Sequence, residues 1–412
     1  MIRDILAIGD TGDELVSKFN SKFKSLPIRN YFFNVEDYGA VHDGVTDDTA
    51  AIQAAINACH DAGGGTVWFP GGTYLIAGAL QNGISCTVAG SNYDVDFNSQ
   101  LYIKPDARQV GKRMISLEGE TNIPYSLTTV TAPASRVILN STISGTGTFP
   151  SVIGTGKAGS VYPINNITIK NINIVVAPFV GDGGISMCGI NLYYSVHNVI
   201  DNVFVGNNLI SPYNTATQPV NHVFGLCTGM GNGNFPIIRN FKCWGGFYYG
   251  AIIGDGCHVY DISSFWNYIG IMSAFGSQCG SVIDYACLHW NTYDIAAQQE
   301  ELFGVAAGAT RLYVNHLNTE NNTGSGPAWT TSEGELLDTS NRLNGYCHYH
   351  PVPQGTALVK NNGGKNFLFM DKTRGYRYWW TTDTRPTIPA MGYNETTGKY
   401  EALTGSGWVD LH

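Results

Sequence analysis

The chain has 412 residues, 43% of them hydrophobic and only 13% charged, with 50 glycines and a formal net charge of −9. Charge at about half the usual share of ~25%, together with abundant aromatic and β-branched residues, excludes a charge-rich disordered chain. The acidic balance and the lack of a basic stripe argue against a nucleic-acid partner, and no run of ~18 apolar residues is present to insert into a membrane.

Residues 1–30 read as a separate N-terminal segment. Thr11 and Glu14 have capping-box spacing, and Leu15, Phe19, Phe23 and Leu26 follow at near-helical spacing. One short helix with one apolar stripe cannot fold alone, so it is expected to serve assembly or attachment, or to dock on the body. Met1-Ile2-Arg3-Asp4 opens without the apolar region of a signal peptide. The nine cysteines are scattered singly. An odd count without a signal peptide predicts reduced thiols and folding in a cytosol, where the sequons at Asn140, Asn166, Asn321 and Asn394 are inert.

Residues 34–80 are the most informative. Ile52, Ala55, Ile56 and Cys59 form one helix face. Asp47 and Asp48 precede it, where a helix N-terminus favours anions, and Gly63-Gly64-Gly65 ends it. Thr66–Phe69 and Thr73–Ile76 read as strands around a Pro70-Gly71-Gly72 turn. Asp43, Asp47 and Asp48 invite a metal reading. A turn-fixing and helix-capping role is preferred, and no metal site or cofactor is expected.

The stretch DYGAVHDGVTDDTAAIQAAINACHDAGGGTVWFPGGTYLI, residues 37–76, resembles the opening motif of the pectate-lyase-like superfamily. That group includes bacteriophage tailspikes, polysaccharide depolymerases, pectate lyases and polygalacturonase-like hydrolases. His42 departs from the glycine usual there. The resemblance implies a right-handed parallel β-helix, a homotrimer and action on a polysaccharide.

The middle of the chain supports the same fold by itself. A loose pattern, apolar-any-polar-apolar, starts at Ile169, Ile200, Ile238, Val259, Ile283 and Val314, at spacings of 31, 38, 21, 24 and 31 residues. Repeats of this length mark a solenoid, with the shortest approximating one bare coil. Polar residues at one corner of each coil can form a ladder, so Asp201, Asp261 and Asp284 read as corner residues rather than catalysts. After Gly324 the composition shifts. Arg385–Pro389, Gly392–Asn394, Thr397–Tyr400 and Gly407–Val409 resemble the short β terminal segment of many phage tail proteins. The expected division is an N-terminal attachment segment over 1–30, the β-helix over 31–345 and a β-rich trimerisation cap over 346–412.

No nucleophile elbow, phosphate loop or dinucleotide fingerprint is credible. His348 and His350 share a strand face, an ordinary polar face unless a trimer axis brings copies together. Measured by the repeat, Trp266 and Trp290 fall in register and Trp244 one residue off; whether this row faces out or in is left open. An outward row offers flat faces to sugars. Asp255 and Glu300 follow equivalent corners two coils apart, ~9.5 Å at ~4.8 Å per coil, within the span of an inverting glycosidase's carboxylates. Glu301 is the substitute, and Glu320, with His289 as its expected neighbour, is the third choice. The sequence therefore predicts an all-β, single-stranded parallel β-helix with a short N-terminal helix and a C-terminal β-rich cap. It reads as a tailspike-like, homotrimeric virion protein, assembled in the host cytoplasm and joined to a phage tail or baseplate protein through its N-terminal segment. Such a protein binds and hydrolyses a bacterial surface polysaccharide, with Asp255, Glu300, Glu301 and Glu320 as candidate catalysts and Trp244, Trp266, Trp290, Tyr293 and His289 as candidate sugar contacts. Two alternatives stay open. One is a lyase, for which Lys242, Arg239, Arg311, His289 and Tyr293 are available as cation or base. The other is a non-catalytic glycan-binding fibre.

Overall fold

A computed structural model of the protein describes residues 31–80, 85–87, 94–96, 98–104, 114–120, 137–142, 150–155, 164–176, 187–193, 195–207, 223–228, 235–254, 256–273, 281–289, 291, 293–297 and 311–320. It further describes the backbone of eight later strands between 336 and 411. The expected N-terminal helix within residues 1–30 lies outside the described residues.

The chain winds as a parallel β-helix. Each coil lays down three strands, and each strand pairs in parallel with its equivalent on the next coil. The first face is set by Ile167–Lys170, the opening of Val199–Asn207 and of Ile237–Trp244, then His258–Val259, Ser281–Ile283 and the opening of Arg311–Glu320. Its register stacks Ile169, Ile200, Ile238, Val259, Ile283 and Val314 in one column. These are the six repeat positions read from the sequence. The second face holds Asn173–Val176, the later halves of the two long strands, Ile262–Phe265, Ala286–His289 and the end of Arg311–Glu320. The third holds Cys188–Asn191, Phe224–Cys227, Tyr249–Ile253, Ile269–Ser273 and Tyr293–Ala297.

Alternation decides what enters the core. Along Ile237–Trp244, Ile238, Phe241 and Cys243 are fully buried, while Arg239 and Lys242 project outward. On the third face every residue of Cys188–Asn191, Phe224–Cys227 and Tyr249–Ile253 is buried, as in parallel sheets covered on both sides. The second and third faces approach so closely that a Cβ at Gly225 would overlap the Cys243 thiol, and one at Gly250 the Ser264 hydroxyl.

The corners carry the turns of the coil. Between the first and second faces, Asn171, Asn202 and Asn240 all adopt left-handed backbone, with φ of 57°, 55° and 44°. Their amides form a ladder: Asn202 donates to Asn171 at 2.9 Å and Asn240 to Asn202 at 2.7 Å. Asparagine tolerates this region best among residues with a Cβ. At the entry to the first face, Asn166, His197 and Phe235 are likewise left-handed, followed on the next coil by Gly256. His197 and Phe235 stack there at 5.8 Å.

One end of the solenoid is closed by helix α1 (Thr49–Asp61). Ile52, Ala55, Ile56 and Cys59 are its fully buried face, as their spacing predicts. The Gln53 amide both accepts from Tyr102 N at 2.8 Å and donates to Tyr102 O at 2.9 Å, capping the buried edge strand Ser99–Ile103. The motif's acids have structural partners. Asp43 accepts from the Val45 and Thr46 amides. Asp47 accepts from Thr49 and Ala77, and buried Asp48 accepts from Val41 and His42. Burial pushes the Asp47 carboxyl up, but the bonds from Thr49, Ala77 and Gly78 win and hold it below the usual range. In Asp48 burial wins and the carboxyl is raised.

At the other end, parallel pairing continues past residue 345. Asn344–His350 pairs with Phe367–Asp371, and Leu336–Asp338 with Val359–Asn361. The chain turns antiparallel at Gly375–Trp380 and ends in an antiparallel meander over Met391–Asn394, Lys399–Thr404 and Gly407–Leu411. Among the described residues no helix is long and apolar enough to cross a membrane.

The corner ladder yields a prediction with two separable terms. Asn202→Gly keeps the left-handed backbone and removes the amide. Asn202→Ala removes the amide and adds a left-handed cost of ~1–2 kcal/mol. The alanine variant should therefore melt below the glycine variant, and both below the parent, in a thermal unfolding series.

Candidate functional site

The outward side of the second face carries two rows that run along the solenoid at ~4.8 Å per coil. One row is Gly206, Trp244, Phe265, His289 and, by backbone register, Glu320. The other is Phe204, Lys242, Ser263, Cys287 and, by register, Asn318. Strand alternation puts them outside, because Phe241, Cys243 and Leu288 from the same strands fill the core.

The first row is a chain of edge-on rings. Trp244 meets Phe265 at 5.3 Å and Trp266 at 4.6 Å, and Phe265 meets His289 at 5.1 Å. Trp244 is only 8% exposed, and its indole N–H has no hydrogen-bond partner among the described residues. A buried donor left in that state costs ~1–3 kcal/mol. Trp266 is half-buried beside it, at the corner leaving the face. There the previous coil uses Gly245 at φ 66°, whereas Trp266 holds the same turn at φ 55°. A bulky aromatic in this region is a backbone outlier, and such strain concentrates at functional positions.

The second row supplies polar groups. The Cys287 thiol lies 3.2 Å from His289 Nε2. Asp261, at the corner below Lys242, has its carboxyl pushed up by burial, an effect Lys242 partly opposes. Among the described residues no cluster of three His, Cys, Asp or Glu side chains could hold a metal ion.

The candidate residues thus separate. Trp244, Trp266 and His289 come together on this face, with Trp244 opposite Phe265 and so one residue out of step with Trp266. Glu320 is in register with His289. Tyr293 opens a third-face strand, opposite Ile269. Trp290, Asp255, Glu300 and Glu301 lie outside the described residues, as do the side chains of His348 and His350. Asp201 stands between Lys170 and Arg239 by register. Asp284 accepts from Asn315 at 2.7 Å and pairs with His258 at 2.9 Å. Both belong to an exposed charged ladder on the first face, where Arg239 lies 5.0 Å from the Tyr260 ring. Sequence reasoning named Lys242 only as one of five residues available to a lyase, and missed Phe265, Cys287 and the raised carboxyl of Asp261. The strand register, legible in the spacing of Phe241, Ile262 and Ala286, was the signal that groups Phe265, Lys242 and Cys287.

The family comparison agrees with this architecture. Residues 32–235 match the family described as rhamnogalacturonase A/epimerase, pectate lyase-like. The match to a pectate-lyase-like family over that span agrees with the parallel β-helix described above and with the fold that the opening motif implies. Mannuronan C5-epimerase AlgE1 of Azotobacter vinelandii is 28% identical over 222 residues, 50% of this chain. Alginate lyase 7 of the same organism is 35% identical over 150 residues, 34% of this chain. Both matches cover 16% of the relative's own length. Among solved structures, ORF18 of Geobacillus virus E2 superposes with a TM-score of 0.40 at 13% identity, covering 98% of this chain and 80% of that one.

The unpartnered indole makes a prediction for the free protein. Trp244→Phe removes a buried donor and keeps most of the ring, so the melting temperature should stay level or rise. Trp244→Leu, which removes the edge-on contacts, should lower it.

Proposed function

We propose that this chain binds and modifies a polysaccharide along the outward side of its second face. The observation that carries the reading is Trp266, an aromatic kept in a left-handed conformation where the preceding coil uses glycine, at the end of a row of rings. Flat apolar faces receive the apolar side of a sugar, and Lys242, Ser263 and His289 supply donors and acceptors beside them. The finer reading is a tailspike-like, trimeric virion protein that hydrolyses a bacterial surface polysaccharide, with Asp255 and Glu300 as acid and base, and Glu301 or Glu320 as substitutes. Asp261 adds a carboxyl that burial pushes above the usual carboxylate range, the direction a general acid needs.

A second reading is favoured by the relatives, whose names describe an epimerase of mannuronan and a lyase of alginate. Proton abstraction beside a uronate carboxylate needs a base and a cation, and His289 and Lys242 sit on adjacent outward rows. Products separate the two. New reducing ends without unsaturated-uronate absorbance mean hydrolysis, and that absorbance means elimination. Binding without either leaves epimerisation, which exchanges the uronate C5 hydrogen with solvent deuterium, or a glycan-binding fibre, which exchanges none.

The strained corner supplies the test of the binding face. Trp266→Gly relieves ~1–2 kcal/mol of backbone cost and loses a ring contact worth ~0.5–1.5 kcal/mol. Stability should therefore change by less than about 1 kcal/mol while glycan affinity falls about tenfold or more. Unchanged affinity for a polysaccharide bound by the parent protein removes Trp266 from the site. For the finer reading, Asp255→Asn and Glu300→Gln should each cut turnover by orders of magnitude and spare binding. Full turnover in both rejects that pair. Light scattering should give three times the 44.6 kDa chain mass, and the mass of a single chain rejects the trimer.

A further inference from the structure

The described cysteines fall into two chemical classes. Cys59, Cys188, Cys227, Cys243 and Cys257 are buried in the core. Burial pushes the Cys59 thiol up to about 12 and the Cys188, Cys243 and Cys257 thiols higher still. Such thiols stay protonated and shielded, and the thiolate is the nucleophile. Cys287 differs in its burial and its neighbour. It is half-buried, it faces outward on Ala286–His289, and its Sγ lies 3.2 Å from His289 Nε2. A strand holds residues two apart on one side, so the pair is built into a rigid element and does not depend on a loop. The preceding coil sets Ser263 and Phe265 beside it, neither of them charged. The following coil sets Asn318 and Glu320 beside it by register. Lys242 stands in the same row as Cys287, two coils back.

We propose that Cys287 and His289 form a reactive thiol–imidazole pair, a covalent modification site for electrophiles and peroxides on the outward side of the second face. His289 Nε2 takes the proton from Sγ. With a haloacetamide, the thiolate attacks the carbon bearing the halogen, the S–C bond forms, the carbon–halogen bond breaks and halide leaves. With hydrogen peroxide, the thiolate attacks one oxygen and the O–O bond breaks. Hydroxide leaves and takes the proton from the imidazolium to become water. The sulfur is oxidised by two electrons to a sulfenic acid and the peroxide is reduced. The site does not depend on whether this face binds sugar.

The test uses the full, unmodified chain. The native protein is treated briefly with iodoacetamide across a pH series, quenched, unfolded and mapped by mass spectrometry, with the peptides of Cys86, Cys279 and Cys347 followed separately. Cys287 should label at least about tenfold faster than Cys59, Cys188, Cys227, Cys243 and Cys257 at neutral pH. In His289→Gln the neutral-pH rate at Cys287 should fall about tenfold, and its rate–pH profile should become that of an unassisted thiol. Hydrogen peroxide followed by a sulfenic-acid-trapping dione should mark the same peptide. Labelling of Cys287 no faster than the buried five in the unmodified chain overturns the proposal whether or not the variant folds. A rate–pH profile unmoved in a folded His289→Gln protein overturns the role of the imidazole.

Discussion

Three successive coils of this protein turn the corner between their first and second faces through left-handed backbone, and the residues able to do so set the register of the faces on either side. At Asn171, Asn202 and Asn240 the solution is chemical as well as steric. Asparagine accepts the conformation, and its amide bonds to the equivalent residue one coil away. The ladder locks neighbouring coils in register. A slip of one residue would send Ile238, Phe241 and Cys243 to solvent and Arg239 and Lys242 into the core. With the register fixed, outward residues stand in columns, and a column of side chains becomes a surface with a repeat of ~4.8 Å.

The candidate site follows from that constraint. Trp244, Phe265 and His289 are 21 and 24 residues apart in sequence and would not be grouped by any local motif. They are neighbours because Phe241, Ile262 and Ala286 stack inside. The same face shows where local preference is overridden. Gly245 satisfies its corner without strain, while Trp266 occupies the equivalent turn on the next coil at a backbone cost. Trp244 keeps a buried N–H without a partner among the described residues. Two such departures within one ring contact mark this face as shaped for something beyond stability. The charged ladder of the first face, with Arg239, Tyr260, His258 and Asp284, satisfies its own groups and lies largely in solvent, where ion pairs contribute little.

Much of the fold was legible in the sequence because its signals are local. The helix face Ile52, Ala55, Ile56 and Cys59 reads directly from its spacing, and the roles of Asp43, Asp47 and Asp48 from their places beside a turn and a helix start. The six repeat positions were found because each coil puts an apolar residue before a polar corner. The site was less legible. Phe265 and Cys287 escaped notice because side-by-side placement across coils depends on loop lengths that vary between repeats. Asp261 read as a corner residue and stands at one, but the burial that raises its carboxyl is a tertiary property. The sequence also left the direction of the tryptophans open. Strand alternation decides it for Trp244, which projects outward and is then covered by its own aromatic neighbours.

The central claim is that the outward side of the second face is where a polysaccharide lies. Hydroxyl-radical footprinting, with and without a polysaccharide that the protein binds, tests it residue by residue. The account predicts slower oxidation of Phe265, Trp266, Cys287 and His289 in the bound state, with Tyr260 and Phe235 of the first face unchanged. Protection of Tyr260 and Phe235 with none at Phe265, Trp266, Cys287 and His289 would contradict it.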